Sequence, residues 1–199
     1  MALTATIASI VQYSTEDGST TTKTKTITST GTVIAGYGYG DTNYVLCVGF
    51  TLDKPASAIT LSLTSGNIRG ASTKLNYKIL DAIDTSYHNA TYTADSDGTV
   101  TVHTANYTPK TFELSHTLGA GTHYLYLWTS MATSTNCYSQ ICHNGNGKIK
   151  ITYEELQGAV RIGNGSSFDA YQVYIGNGTS YDMYIPYIGN GTSWELYSG

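Results

Sequence analysis

Residues 58–65 read AITLSLTS. Ile59, Leu61 and Leu63 alternate with Thr60, Ser62 and Thr64. Successive side chains of a strand point to opposite faces, so the octet predicts a strand with one dry face and one wet face. The same period continues outward along the chain. TKLNYKIL (73–80) sets Leu75, Tyr77 and Ile79 on one side, and GKIKITYEE (147–155) does so with Ile149, Ile151 and Tyr153. LTATIASIVQY (3–13) places Leu3, Ala5, Ile7, Val11 and Tyr13 together, with Ser9 among them. YVLCVGFTL (44–52) is apolar at both parities, with Tyr44, Leu46, Val48 and Phe50 against Val45 and Cys47, and predicts a central strand. TTKTKTIT (21–28) is polar on both faces and predicts an edge, where lysines discourage stray pairing.

GTVTVH, KTFELSHTL and GTHYLYLWTS extend the pattern, and clusters such as TSGNIRGAST, DSDG and HNGNG punctuate it. No window carries a helical period. The prediction is all-β: an antiparallel, jelly-roll-like β-sandwich over 1–156, followed by a different grammar over 157–199. Composition agrees. The 18 Tyr and 21 Gly favour strands and tight turns. Charged residues are 12% of the chain and the net charge is -4, which disfavours nucleic acid as a partner. No stretch approaches the length of a membrane span. The opening MALTATIASIVQY lacks the basic and apolar regions of a signal peptide, so synthesis without secretory export is expected.

The last residues repeat one phrase three times, at 161–173, 174–186 and 187–199. Ile162, Ile175 and Ile188 correspond, as do Phe168, Tyr181 and Trp194, and then Tyr171, Tyr184 and Tyr197. Each copy holds Gly-Asn-Gly, and Asn-Gly suits a two-residue type I′ turn. One strand and one turn per copy, in an antiparallel meander, is the simplest expectation. Pro186 cannot donate to a ladder and predicts an edge or a bend. Three short strands cannot hold themselves together, so these aromatic and Ile positions are the candidate assembly residues. The partner is the sandwich or other copies, and a homo-oligomer is expected, with a trimer favoured.

The phrase VYIGNGTSYDMYIPYIGNGTSWELYS resembles the tyrosine-rich Asn-Gly repeats that end structural proteins of bacteriophages of gut Firmicutes, tail and fibre components in particular. That resemblance implies a virion protein made in the host cytoplasm, with other virion proteins as partners, and it carries over no active site. In strand rhythm, residues 30–155 resemble jelly-roll modules of the galactose-binding and carbohydrate-binding kind, which implies a host-surface glycan as ligand. A bacterial cell-surface or extracellular carbohydrate-binding module is the alternative.

Catalysis is not expected. The five histidines stand in no motif, and GxSxG, HExxH and P-loop patterns are absent from the sequence. No cofactor or metal is expected. Asp95 and Asp97 in DSDG fail the calcium-loop spacing and read as a turn. Cys137, Cys142 and His143 admit a local disulfide or a metal cluster, with reduced thiols preferred. Cys47 reads as a small buried hydrophobe. The sequons at Asn164, Asn177 and Asn190 are explained by turn chemistry.

Tyr124, Tyr126 and Trp128 share one parity of HYLYLW, and Leu125 and Leu127 the other. With the leucines inward, the three rings form a ladder suited to sugar faces. The competing reading covers them with core, repeats or a neighbouring subunit, because large exposed apolar patches usually have a partner. Tyr37 and Tyr39 of GYGYGD form a second candidate ligand loop.

Overall fold

The computed structural model describes residues 2–16, 21–27, 32–37, 42–69, 74–102, 109–114, 116–131, 137–142, 149–156, 160–163, 168–171, 173–176, 181–184, 187–189 and 194–196. Twelve strands form one continuous antiparallel assembly: β1 (Leu3–Thr4), β2 (Thr6–Glu16), β3 (Thr22–Thr26), β4 (Thr32–Tyr37), β5 (Thr42–Leu52), β6 (Ala56–Arg69), β7 (Lys74–Leu80), β8 (Gly98–Thr101), β9 (Pro109–Leu114), β10 (Gly121–Thr129), β11 (Cys137–Cys142) and β12 (Lys150–Glu155).

The assembly folds into a sandwich. One layer runs β1-β12-β6-β9, and the other runs β3-β2-β5-β10-β7-β8. The long β6 connects them. Its first half pairs with β12 and β9, and its second half pairs with β11, which leads through β4 to β5. Strands that change sheets in this way form the corners of β-sandwiches.

The alternation read at 58–65 fills the interior. Ile59, Leu61 and Leu63 meet Leu46, Val48, Phe50, Leu75, Ile79, Leu125, Leu127 and Ile151 in one core, all at most 6% exposed. A buried side chain of this size contributes about 1.5–3 kcal/mol, so this layer contact is the main stabilising term. In β5 both faces are covered, as its two-sided apolar pattern requires. Among the described residues β3 pairs only with β2, as its lysines suggested.

β2 departs from simple alternation. Its register against β5 shifts between Ile7 and Ser9. The extra residue turns the strand over: Ala5, Ile7 and Ile10 face the main core, while Val11 and Tyr13 face the opposite side. Tyr13 therefore does not share a face with Ile7, because a bulge resets the parity that alternation assumes.

Candidate functional site

The outer face of the β2-β5-β10 layer carries the aromatic row. The register sets Tyr124 beside Gly49, and Tyr126 beside Cys47. Leu125 and Leu127 point inward, as the parity required. Yet Tyr126 and Trp128 are 0% exposed, and they pack with Tyr13, Val45, Cys47 and Ala90 in a second core. The exposed ladder is thus corrected: of its three rings only Tyr124 stays half-buried at the surface. A Cβ on residue 49 would lie 3.5 Å from the Tyr124 ring and closer still to Ser9 Oγ.

The cover is the excursion between β7 and β8, which includes a 3-10 turn at Thr85–Asn89. Asp84 caps it, its Oδ1 accepting from Ser86 N at 2.8 Å. The excursion is tied down through the row's polar tips. Trp128 Nε1 donates to Thr91 O at 2.8 Å, Asp84 N donates to Tyr126 Oη at 3.2 Å, and Asn43 Nδ2 donates to Ala90 O at 2.9 Å. His88 stacks on Tyr13 with ring centres 3.6 Å apart, and Tyr87 lies 5.4 Å from the Tyr126 ring and 5.6 Å from that of Trp128. Burial pushes the Cys47 thiol up to about 11, raises Tyr126, and lowers His88. A thiol held neutral in this way is a packing group, not a nucleophile.

Beyond this cover stands a charged cluster. Lys78 Nζ lies 2.7 Å from Asp95 Oδ2 and 3.0 Å from Asp97 Oδ1. Asp97 Oδ2 accepts from Ile79 N at 2.8 Å and lies 2.8 Å from His116 Nε2. Burial raises Asp97, but the Ile79 amide, Lys78 and His116 outweigh it and hold the carboxyl below its ordinary value. The two DSDG carboxylates are thus occupied by a lysine. Nearby, His123 bridges Asp81 Oδ1 at 2.8 Å and Gly119 O at 2.9 Å. Among the described residues no three His, Cys, Asp or Glu side chains are grouped to hold a metal, and no helix is long and apolar enough to cross a membrane.

His116 also lines an open trough of about 570 Å³ on the outer face of the other layer, with Ser57, Ala58, Thr60, Glu113, Leu114, Thr117 and Glu154. Ile59 and Leu61 face the core, so Ala58 and Thr60 face outward along the middle strand. Glu113 stands across from Thr60 on β9, and Glu154 across from Ala58 on β12. Sequence reading passed over both glutamates. Each sits singly in its strand, and only the pairing of β9 and β12 with β6 brings them to one place.

The repeats form three separate two-stranded sheets: β13 (Val160–Gly163) with β14 (Phe168–Tyr171), β15 (Val173–Gly176) with β16 (Tyr181–Tyr184), and β17 (Tyr187–Gly189) with β18 (Trp194–Leu196). This corrects the meander, since each period of thirteen residues gives a two-stranded hairpin, the second opening at Val173. The closing pairs are Gly163 with Phe168, Gly176 with Tyr181, and Gly189 with Trp194. A two-residue Asn-Gly turn would instead pair Gly163 with Ser166, two residues off the observed register. Ile162, Ile175 and Ile188 stand opposite Asp169, Asp182 and Glu195. Tyr171 faces Val160, and Tyr184 faces Val173. Tyr197 and Pro186 lie outside the described residues.

Tyr37 ends β4, opposite Asn43 on β5 and Cys137 on β11, and Tyr39 lies outside the described residues. Cys137 and Cys142 occupy the two ends of one extended strand. Five residue steps at ~3.3 Å place them roughly 17 Å apart, against a limit of about 7 Å for a disulfide. The local disulfide is excluded, and so is one metal ion shared by the two thiolates.

No protein-family model matches this chain, and no curated protein matches it in sequence.

Proposed function

We propose that this chain is a non-enzymatic structural protein of a bacteriophage particle, a tail, fibre or surface-decoration component. A β-sandwich forms its body, and its C-terminal hairpins attach it to its own copies and to other virion proteins. The observation that supports this reading is the threefold recurrence of one hairpin in one register, thirteen residues apart. A lone hairpin is marginal in water, so a chain that invests in three implies a surface for them to join. A symmetric homo-oligomer, a trimer by preference, closes such contacts. Many weak sites on one particle would then hold a host-surface glycan by avidity.

Two measurements test the reading. Gold-labelled antibody against the chain should decorate purified particles at a fixed structural position. Light scattering should show an oligomer for the full chain and a monomer for a chain stopping at Leu156. Two monomers would remove the assembly role of the hairpins.

A further inference from the structure

We infer that the trough over Ala58 and Thr60 is the glycan site, and that its ligand is a neutral, hexose-rich oligosaccharide. The inference rests on the glycan-binding part of the function proposed above and moves the ligand away from the aromatic row, which the excursion covers. Its volume of about 570 Å³ falls within the usual range of ligand clefts, about 300–1,000 Å³.

The floor is built for close approach. Ala58 and Thr60 are the small outward residues of the central strand, so a flat ring can settle near the sheet. The walls come from the strands on either side. Two neighbouring spacings of ~4.8 Å set β9 and β12 about 10 Å apart, room for one sugar ring between Glu113 and Glu154. Glu16 and Glu155 each hold a lysine, whereas Glu113 and Glu154 have no hydrogen bond or ion pair to their carboxylates among the described residues. At the end of the trough, His116 Nε2 lies 2.8 Å from Asp97 Oδ2 without hydrogen-bond geometry, and Asp97 also contacts Lys78 and the Ile79 amide.

The chemistry selects the ligand class. Two carboxylates and the hydroxyls of Ser57, Thr60 and Thr117 make an acceptor-rich surface. Vicinal sugar hydroxyls donate well to carboxylates, and such bonds are stronger than neutral ones. Uronic acids and phosphate polymers would meet repulsion instead.

Saturation-transfer NMR and calorimetry on the full chain test this with three probes: a glucose hexamer, a galactose hexamer and a galacturonic acid hexamer. At least one neutral hexamer should bind and the acidic one should not. Glu113→Gln and Glu154→Gln should each weaken binding about tenfold, and Thr60→Leu, which fills the floor, should abolish it. Circular dichroism and melting temperature establish that each variant is folded, and Tyr124→Ala serves as the control that leaves binding unchanged. No binding of either neutral hexamer overturns the inference and leaves the particle assignment to its own tests. Neutral binding that survives all three trough variants, or falls only in Tyr124→Ala, overturns the trough and keeps a glycan-binding protein. Preference for the acidic hexamer overturns the ligand class, and cleavage of any hexamer overturns a pure binding role.

Discussion

Among the described residues, six strand glycines stand directly opposite an aromatic residue: Gly36 is paired with Tyr44 and Tyr138, Gly49 with Tyr124, Gly98 with Tyr77, and in the repeats Gly163, Gly176 and Gly189 with Phe168, Tyr181 and Trp194. Glycine removes the cross-strand neighbour, so a large ring can occupy the space above it. At Gly49 and Gly98 the facing ring, Tyr124 and Tyr77, takes that space. The pairs are not equally strict. A Cβ at residue 98 would stand 2.9 Å from Cε1 of Tyr77, a ring only 5% exposed and unable to swing away. At residue 49 the closest obstacle is Ser9 Oγ, which one rotation of a short side chain relieves. Gly98→Ala is therefore expected to cost about 1–3 kcal/mol through overpacking, and Gly49→Ala less. Urea denaturation of both variants measures this, and equal losses would contradict the argument.

At the scale of elements, pairing partners decide what alternation cannot. HYLYLW fixes that Tyr126 and Trp128 lie opposite Leu125 and Leu127. It does not reveal that the excursion from β7, some forty residues upstream, lies over the aromatic side. In the repeats the Asn-Gly signal pointed to a two-residue turn, which would have set Phe168 against Arg161. The observed register instead sets Val160 against Tyr171 and Phe168 opposite Gly163, and cross-strand pairs are each worth about 0.2–1 kcal/mol. The period of the strands was legible because it is local. The trough was not, because Glu113, His116 and Glu154 meet only through β6. The excursion also carries a pH signature. Asp97 is held below its ordinary carboxyl value, so its stabilising contribution is complete above the unfolded value of about 4 and is lost as pH falls through the folded one. Asp97→Asn should cost about 1–3 kcal/mol at pH 7 by removing charge-assisted bonds from Lys78 and Ile79. It should also flatten the loss of stability between pH 5 and 2. Melting curves across that range read both effects, and parallel acid limbs for the two proteins would assign the acid sensitivity elsewhere.

For the whole molecule, the decisive property of the repeats is that, among the described residues, strand pairing stays within one hairpin at a time, with Val173, the last residue of the first copy, opening the second hairpin opposite Tyr184. Each described ladder closes within its own hairpin: β13 with β14, β15 with β16, and β17 with β18. Deleting 174–186 joins Val173 to Tyr187 and restores the strand sequence Val-Tyr-Ile-Gly, so the new junction enters a complete hairpin. Deleting 174–179 is shorter but leaves Tyr181–Tyr184 without the strand it pairs with. Repeat arrays add stability copy by copy, whereas a broken unit exposes its free edge. The thirteen-residue deletion should therefore keep the melting temperature of the sandwich and the same oligomer, with association weakened about tenfold or more as one set of contacts is lost. The six-residue deletion should aggregate or be clipped by protease near residue 181. Sedimentation velocity and limited proteolysis separate the two outcomes. If the longer deletion proves as damaging as the shorter one, the hairpins depend on one another for folding and are not separate units of attachment.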